Sequence, residues 1–330
     1  VNEKGYGIVM PDVDDLHLED PEIVRQAGIT SIDGFIVGDG RWLDGMPEEE
    51  SWLWNDIGTY YGTGMAGLNF HENMISFDVN VSAADTSLAI SQRYPLTSWM
   101  EITHNCCVGG KGTGDNLYMY TSDLAPKAEI RGTYGIDRGA KRIDFSNKFP
   151  EYTCAVYFKN YLENKGIRCS MGAADFRLKN QWYSGPKTSY GLSPAGDSLK
   201  VIGQTLSPPL SRIIFKTNHE SNNLLAEALF RLIGETANGD SSYESSREAN
   251  ADVLKGLVGE SYKKVMIRDG SGLSRQNLVS PEFMCTFLQA MIDTPCFEEF
   301  IASLPVPGEN RTHRPHQTGG LSRFRRRDCR

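Results

Sequence analysis

The sequence contains no apolar run long enough to span a bilayer, and its first residues show no basic segment followed by an apolar core. It therefore gives no evidence of export by itself. Basic residues are not in excess: the formal net charge is −8, which argues against a dedicated nucleic-acid binder. The seven cysteines form no CxxC pair, so neither a metal site nor a disulfide framework is indicated.

What is present is the composition of an ordinary globular protein, 39% apolar and 23% charged. A chain of 330 residues predicts one large domain or two to three smaller ones. Up to about residue 205 the pattern is of strands and turns with few helices. Residues 206–310 are mainly helical in pattern. Residues 311–330 differ from both parts because they are rich in arginine.

Strand patterns dominate the first part of the chain. Residues 75–81 alternate apolar and polar with period two, which predicts a half-buried strand. Residues 109–114 are rich in glycine and predict a hairpin turn. Pro150 begins a helix that Gly166 can end in the left-handed conformation. The remaining strand candidates are residues 30–37, 99–107, 116–121 and 128–134.

Helical patterns dominate the second part. Apolar residues from Leu225 to Leu232 repeat at helical spacing, and Gly234 is placed to end this helix. Residues 241–250 are polar and predict a solvated loop or helix entry. Ser280 can cap a further helix with Pro281 at its first position. Its predicted buried stripe is Met284, Phe287, Leu288 and Met291.

Residues 311–330 are crowded with arginine and have almost no apolar residues. Such a segment cannot bury surface, so we expect it to be disordered. It is either a basic arm for a partner or the product of a frameshift or mis-assembled end after about Asn310, and we favour the second interpretation.

Two polar motifs can carry chemistry. Ser221 and Asn223 precede an amphipathic helix, so they should lie on its exposed entry loop, where Asn223 caps the helix. There a hydroxyl can pass a proton and an amide can bind a carbonyl. The second motif, residues 269–275, is a glycine-flanked bend around Ser271. In it Asp269 and Arg275 are expected to pair and shape a cleft wall, although a purely structural role explains the bend equally well.

Taken together, residues 207–210, 218–227 and 269–275 resemble consecutive motifs of the penicillin-binding protein 4 type D-alanyl-D-alanine carboxypeptidases and endopeptidases. Weaker similarity appears at residues 28–34, 54–56, 60–62 and 69–73, which look like the family's segment after its first catalytic motif. The resemblance extends over about residues 25–305.

The resemblance implies an α+β fold. Residues 206–310 would be the C-terminal part of a penicillin-binding, serine transpeptidase-like domain, with helices on an antiparallel sheet. Residues 1–205 would be one or two inserted, mostly-β accessory α+β domains with a short N-terminal piece of the catalytic domain. The implied chemistry is hydrolysis of peptidoglycan stem peptides through a serine ester, without a cofactor or metal, in the periplasm or another extracytoplasmic compartment. β-Lactam antibiotics would be partners of the full-length parent.

The family's nucleophile motif, SxxK, is missing from its place. Residues 184–187 match it but contain Gly and Pro, and residues 261–264 match it downstream of Ser221, which is the wrong order. We therefore expect the nucleophile before Val1 and predict that the chain as given is inactive. Thr318 and Gly319 resemble the family's KTG strand, which binds the substrate carboxylate, but Gln317 replaces its lysine.

Two alternatives remain at this stage. One is a cell-wall binding protein that keeps the cleft without catalysis, and the other is an unrelated cytosolic α+β enzyme. Trp42, Trp52 and Trp54 either stack on a sugar or fill a core, and the core is favoured.

Overall fold

The computed structural model describes residues 19–43, 45–82, 84, 86–175, 201–203 and 206–306. These residues form a mixed α+β fold of helices, strands and short 3₁₀ turns. The helices are α1 (Glu19–Gln26), α2 (Pro150–Asn164), α3 (Leu210–Glu220), α4 (Asn223–Asn238), α5 (Tyr243–Val258), α6 (Pro281–Ile292) and α7 (Phe297–Ser303). The strands are β1 (Ser31–Ile32), β2 (Ile36–Gly38), β3 (Met74–Ser82), β4 (Ser87–Tyr94), β5 (Glu101–Gly109), β6 (Asp115–Ser122), β7 (Ala125–Gly135), β8 (Lys141–Ser146), β9 (Arg168–Cys169), β10 (Ala173–Asp175), β11 (Val265–Met266) and β12 (Leu278–Val279).

Two three-stranded sheets share one hydrophobic core. The first has the order β4-β3-β8 and is antiparallel, and the second has the order β5-β7-β6. In β3 the predicted alternation is confirmed, since Phe77, Val79 and Val81 are buried. The intervening Asp78 and Asn80 are exposed. A strand with side chains alternating at period two presents one face to the core and the other to solvent.

The sequence predicted a hairpin turn at the glycine-rich residues 109–114, and this prediction is wrong. It joins β5 to β6, but β7 lies between these two strands. β7 runs parallel to β5 and antiparallel to β6. Strands that follow each other in sequence usually pair, and a turn signal does not reveal that a later strand will insert between them.

Helix α2 is confirmed, with Pro150 at its first position and Gly166 in the left-handed region at φ 83 just after it. Leu162 on this helix packs with Ile167 and with Val24 of α1 in a second small core. The predicted strand at residues 30–37 is instead two short strands. β1 pairs with β9 and β2 with β10, both in parallel.

Gly234 does not end α4, which continues to Asn238 and ends at Gly239 in the left-handed region, φ 69. Gly234 is buried at the contact with α5. A Cβ added there would lie 2.5 Å from Ser246 Oγ and 2.8 Å from Ser246 Cα. The glycine therefore permits a close helix contact, and its role depends on a partner helix that the local sequence does not show.

Of the two alternatives for residues 241–250, the helix entry is confirmed and the solvated loop is wrong, because most of these residues belong to α5. Ser242 caps this helix by accepting a hydrogen bond from the Ser245 backbone N–H at 3.2 Å. Ser246 is fully buried, and its hydroxyl donates to the Ser242 carbonyl at 2.7 Å. Small hydroxyl side chains that bond to their own helix can be buried at a helix contact, although their sequence pattern is typical of a loop.

Helix α6 begins as predicted, with Ser280 accepting from the Phe283 backbone N–H at 3.1 Å and Pro281 at the first position. Its buried stripe was predicted correctly at Met291 but not at Met284 and Leu288. Phe283 and Met291 are buried, whereas Met284 and Leu288 are 41% and 44% exposed. The helix is apolar over more than one face, so periodicity alone does not select the face that packs.

The domain boundaries near residues 205 and 310 stay predictions, because residues 204–205 and 307–330 lie outside the described part of the chain. The arginine-rich tail is therefore not described. Within the described residues, no helix combines the length and apolarity needed to cross a membrane.

Candidate active site

The turn between α3 and α4 carries Ser221, Asn222 and Asn223, which we call the SxN turn. Ser221 is exposed and left-handed, with φ 53 and ψ 49. The helix cap is Asn222 and not Asn223: its Oδ1 accepts from the Leu225 backbone N–H at 3.0 Å. A cap side chain accepts from a backbone N–H in the first turn of the helix. Asn223 does not cap α4, because its side chain bonds to the Tyr61 carbonyl instead.

Asn223 is the first residue of α4. Its Nδ2 donates a hydrogen bond to the Tyr61 carbonyl at 2.8 Å. The amide has a second N–H and an acceptor oxygen in addition to this anchored N–H. The contact fixes the side chain beside the segment that contains Tyr60 and Tyr61.

The bend at residues 269–277, which we call the Asp269 loop, is organised around one buried carboxylate. Asp269 Oδ1 accepts from the Gly272 backbone N–H at 2.9 Å and from Asn277 Nδ2 at 2.7 Å. Its Oδ2 accepts from Ser274 N at 2.6 Å and from Trp52 Nε1 at 2.7 Å.

The predicted ion pair between Asp269 and Arg275 is wrong. Asp269 is only 3% exposed and receives four donors from inside the loop and from Trp52, whereas Arg275 is exposed. Backbone and side-chain N–H groups that lie within the bend satisfy the carboxylate without the arginine. The cleft-shaping role of the bend remains a prediction.

The Asp269 loop lies directly on α4, within two turns of the SxN turn. The Ser271 backbone N–H donates to Glu227 Oε1 at 2.8 Å. A Cβ added at Gly270 would lie 2.3 Å from the Ala226 carbonyl oxygen and 2.7 Å from Phe230 Cβ. The glycine therefore lets the loop backbone touch the helix that begins at the SxN turn.

Glu227 is the ionisable group at this contact, and it is 1% exposed. Burial raises the pKa of Glu227 to about 7, the hydrogen bond from Ser271 opposes this shift, and the charge of Asp269 adds to it. Tyr243 donates its hydroxyl to Glu227 Oε2 at 3.1 Å. Burial, together with the charge of Glu227, raises the pKa of Tyr243 well above its usual range.

The elevated pKa of Glu227 predicts a pH-dependent stability. The folded carboxyl titrates at about 7 and its ordinary pKa is 4.5, so the folded state binds more protons between these values. Stability from this group therefore falls as pH rises through that window, by on the order of 3 kcal/mol. In Glu227→Gln this decline should disappear, while the amide oxygen still accepts from Ser271.

Urea unfolding at pH 5 and pH 8 measures this effect. The difference in the free energy of unfolding between wild type and Glu227→Gln should change with pH, and the exposed Glu248→Gln variant should follow wild type at both values. Identical pH dependence in wild type and Glu227→Gln would show that the carboxyl titrates normally.

Residues 46–73, which we call the connecting segment, contact both motifs. Trp52 bonds to Asp269, and the Tyr61 carbonyl accepts from Asn223. Lys148 is buried and fixes the segment's backbone: its Nζ donates to the Gly62 carbonyl at 2.8 Å and pairs with Glu48 at 2.6 Å. The sequence shows residues similar to the family in this segment, but it did not predict their contacts with the SxN turn and the Asp269 loop.

The end of the connecting segment contains a strained turn. His71, Glu72 and Asn73 all have left-handed backbones, with φ of 51, 48 and 53. None is glycine, so this conformation costs about 1–2 kcal/mol per residue. Buried amides hold the turn: Asn69 Oδ1 accepts from Asn73 Nδ2 at 2.7 Å, and Asn73 Oδ1 accepts from Phe70 N at 3.1 Å.

The three tryptophans are not all in a core. Trp52 is 8% exposed, in agreement with the core interpretation, and Trp42 packs beside a small core formed by Met65, Leu224 and Ala228. Trp54 is 56% exposed, so the core interpretation is wrong for that residue.

Among the residues that the structure describes, the remaining candidates give no second site. Thr318, Gly319 and the match at 184–187 lie outside the described residues. In the match at 261–264, Lys264 is exposed and pairs with Glu282 at 2.6 Å. The six cysteines of the described part form no disulfide, and no group of three or more metal-ligating side chains occurs there.

Comparison with known proteins identifies the family. The sequence profile of the D-Ala-D-Ala carboxypeptidase 3 (S13) family matches residues 11–327, so the chain belongs to this family. The match confirms the resemblance seen in the motifs. It also includes Thr318, Gly319 and most of the arginine-rich tail.

Individual relatives are distant. A D-alanyl-D-alanine carboxypeptidase from Actinomadura sp. is 23% identical over 297 residues, which are 87% of this chain and 52% of the relative. D-alanyl-D-alanine carboxypeptidase DacB from Haemophilus influenzae is 20% identical over 305 residues, 88% of this chain and 57% of the relative. The chain therefore spans about half the length of the curated relatives that it matches.

Solved structures agree in fold. A crystal structure of penicillin binding protein 4 (dacB) from Haemophilus influenzae matches with a TM-score of 0.63 and 20% identity, over 85% of this chain and 56% of that chain. A second structure of that protein, complexed with a novel beta-lactam, matches with a TM-score of 0.57 and 17% identity, over 89% and 59%.

Proposed function

We propose that this chain forms part of a serine-type D-Ala-D-Ala carboxypeptidase or endopeptidase that acts on peptidoglycan stem peptides through an acyl-enzyme. The observation that supports this most is the contact between the Asp269 loop and α4 at Glu227, next to the SxN turn. Two motifs 46 positions apart in the sequence would serve one substrate only if they lay on one surface. A stem-peptide substrate would place the protein in an extracytoplasmic compartment.

In this proposal the SxN turn supplies two polar groups to the substrate. The exposed hydroxyl of Ser221 passes a proton during acyl transfer, and the amide of Asn223 binds a substrate carbonyl. The bond to the Tyr61 carbonyl holds one N–H of that amide and leaves the other for the substrate. The Asp269 loop forms the neighbouring wall, with Ser271 anchored by Glu227.

The 330-residue chain itself should form no acyl-enzyme, because the SxxK match at 184–187 contains Gly and Pro and the match at 261–264 follows Ser221. The alternative of an unrelated enzyme is removed by the family match. The other alternative, a non-catalytic protein that binds peptidoglycan, stays open, because membership of the family does not show catalysis.

Labelling with fluorescent penicillin tests the proposal. The 330-residue chain should give no covalent band, whereas a longer form of the protein that carries an SxxK helix ahead of Ser221 should give one that a peptide ending in D-Ala-D-Ala competes away. In that longer protein, Asn223→Ala should slow acylation roughly tenfold or more, because one substrate hydrogen bond is lost. A folded natural protein that binds the peptide but never forms an adduct would instead be the non-catalytic binder.

A further inference from the structure

Glu72 stands at the centre of the strained left-handed turn, and its carboxylate reaches away from the connecting segment to two helices. Oε2 accepts from Asn222 Nδ2 at 2.8 Å, at the start of α4. Oε1 pairs with Lys216 Nζ on α3 at 2.9 Å. The carboxylate therefore contacts the elements on both sides of the SxN turn.

The contact with Asn222 fixes which way that amide points. Its NH₂ group faces the carboxylate, and its oxygen faces the Leu225 backbone N–H, 3.0 Å away. The reversed amide would place its oxygen against the carboxylate and its NH₂ against another donor. Only one orientation satisfies both ends, so Glu72 selects the orientation that caps α4.

Stability alone does not explain this arrangement. The Glu72 and Lys216 side chains are 30% and 36% exposed, and ion pairs at such sites contribute little to stability. The turn that presents Glu72 has three consecutive non-glycine residues in a sparsely populated backbone region. Strain of this kind persists only where the surroundings impose it, and it is frequent at functional sites.

We infer that Glu72 is a positioning residue, which holds the SxN turn through Asn222 and thereby sets the directions of the Ser221 hydroxyl and the Asn223 amide. Its functional meaning rests on the function proposed above. The chain of contacts is continuous: Glu72 orients Asn222, Asn222 caps α4, and the cap places Ser221 before it and Asn223 after it.

Side-chain amide NMR spectra of the 330-residue chain, labelled with ¹⁵N at asparagine, test the inference. In Glu72→Ala the Asn222 side-chain signals should shift and exchange with solvent about fivefold faster, because a charge-assisted bond is lost. The Asn223 signals should move with them, since the helix start moves. Unchanged Asn222 and Asn223 signals in the folded variant would overturn the inference.

Two further variants separate positioning from a general loss of charge. Glu220→Gln removes another carboxylate near Lys216, 3.9 Å from its Nζ and 50% exposed, and should leave both asparagine signals in place. Glu72→Gln keeps one acceptor oxygen and should give signals between wild type and Glu72→Ala. If Glu72→Ala does not fold, Glu72→Gln decides the question alone: wild-type signals contradict the inference, and shifted ones support it.

The functional arm uses the natural full-length protein and fluorescent penicillin. Glu72→Ala should slow acylation about fivefold or more with little change in melting temperature, and Glu220→Gln should react like wild type. If the wild-type protein does not react at all, the proposed function fails, while the NMR spectra still decide the role of Glu72.

Discussion

Replacing Asp269 with asparagine should lower the free energy of unfolding by about 2–5 kcal/mol, although the two side chains have nearly the same shape. All four partners of the carboxylate are donors, and they divide evenly between its two oxygens. In either orientation the NH₂ group of an asparagine would face two donors and satisfy neither. At 3% exposure water cannot replace the lost acceptor.

Urea unfolding followed by tryptophan fluorescence measures this loss, since the indole of Trp52 is one of the donors. Arg275→Ala is the matched control in the same loop. Arg275 is exposed and does not pair with Asp269, so its removal should change the stability by less than about 0.5 kcal/mol. If the two variants lose stability equally, Asp269 is not the centre of the loop.

Replacing Glu49 with alanine should cost about 3 kcal/mol, the lower end of the range for breaking a buried ion pair. The Glu49 side chain is fully buried and lies 3.3 Å from Arg247 and 3.1 Å from Arg268. Both arginines would lose a buried carboxylate. They are 25% and 22% exposed, so partial access to water reduces the penalty.

The adjacent Glu50 provides the control, because it also pairs with Arg268, at 2.5 Å, but is 76% exposed. Glu50→Ala should cost less than about 1 kcal/mol, as exposed ion pairs do. A calorimetric comparison of the two variants checks this difference. Equal melting temperatures would show that Glu49 does not join the connecting segment to α5 and to Arg268, the residue before the Asp269 loop.

The features that the sequence predicted correctly are those that short-range patterns control. The alternation in β3 and the serine–proline start of α6 both follow from positions within one turn or one strand. The family motifs are equally local, and they identified the SxN turn and the Asp269 loop before their positions in space were known.

The failures arose where a distant residue decides. Asn222 rather than Asn223 caps α4, because Tyr61 and Glu72, both far away in sequence, bind the two neighbouring amides. Asp269 does not pair with Arg275, because it accepts from three groups of its own loop and from Trp52, which is 217 positions away. A local pattern shows which groups can form a bond, and the fold selects which of them do.

The peptide-binding surface proposed for this protein is most directly tested by titrating the ¹⁵N-labelled chain with an acyl-D-Ala-D-Ala peptide. Backbone signals of residues 221–223 and 271–274 should shift together along one binding curve, and the same peptide ending in L-Ala-L-Ala should leave both in place. Shifts confined to one of the two regions, or equal shifts with both peptides, would contradict a shared cleft.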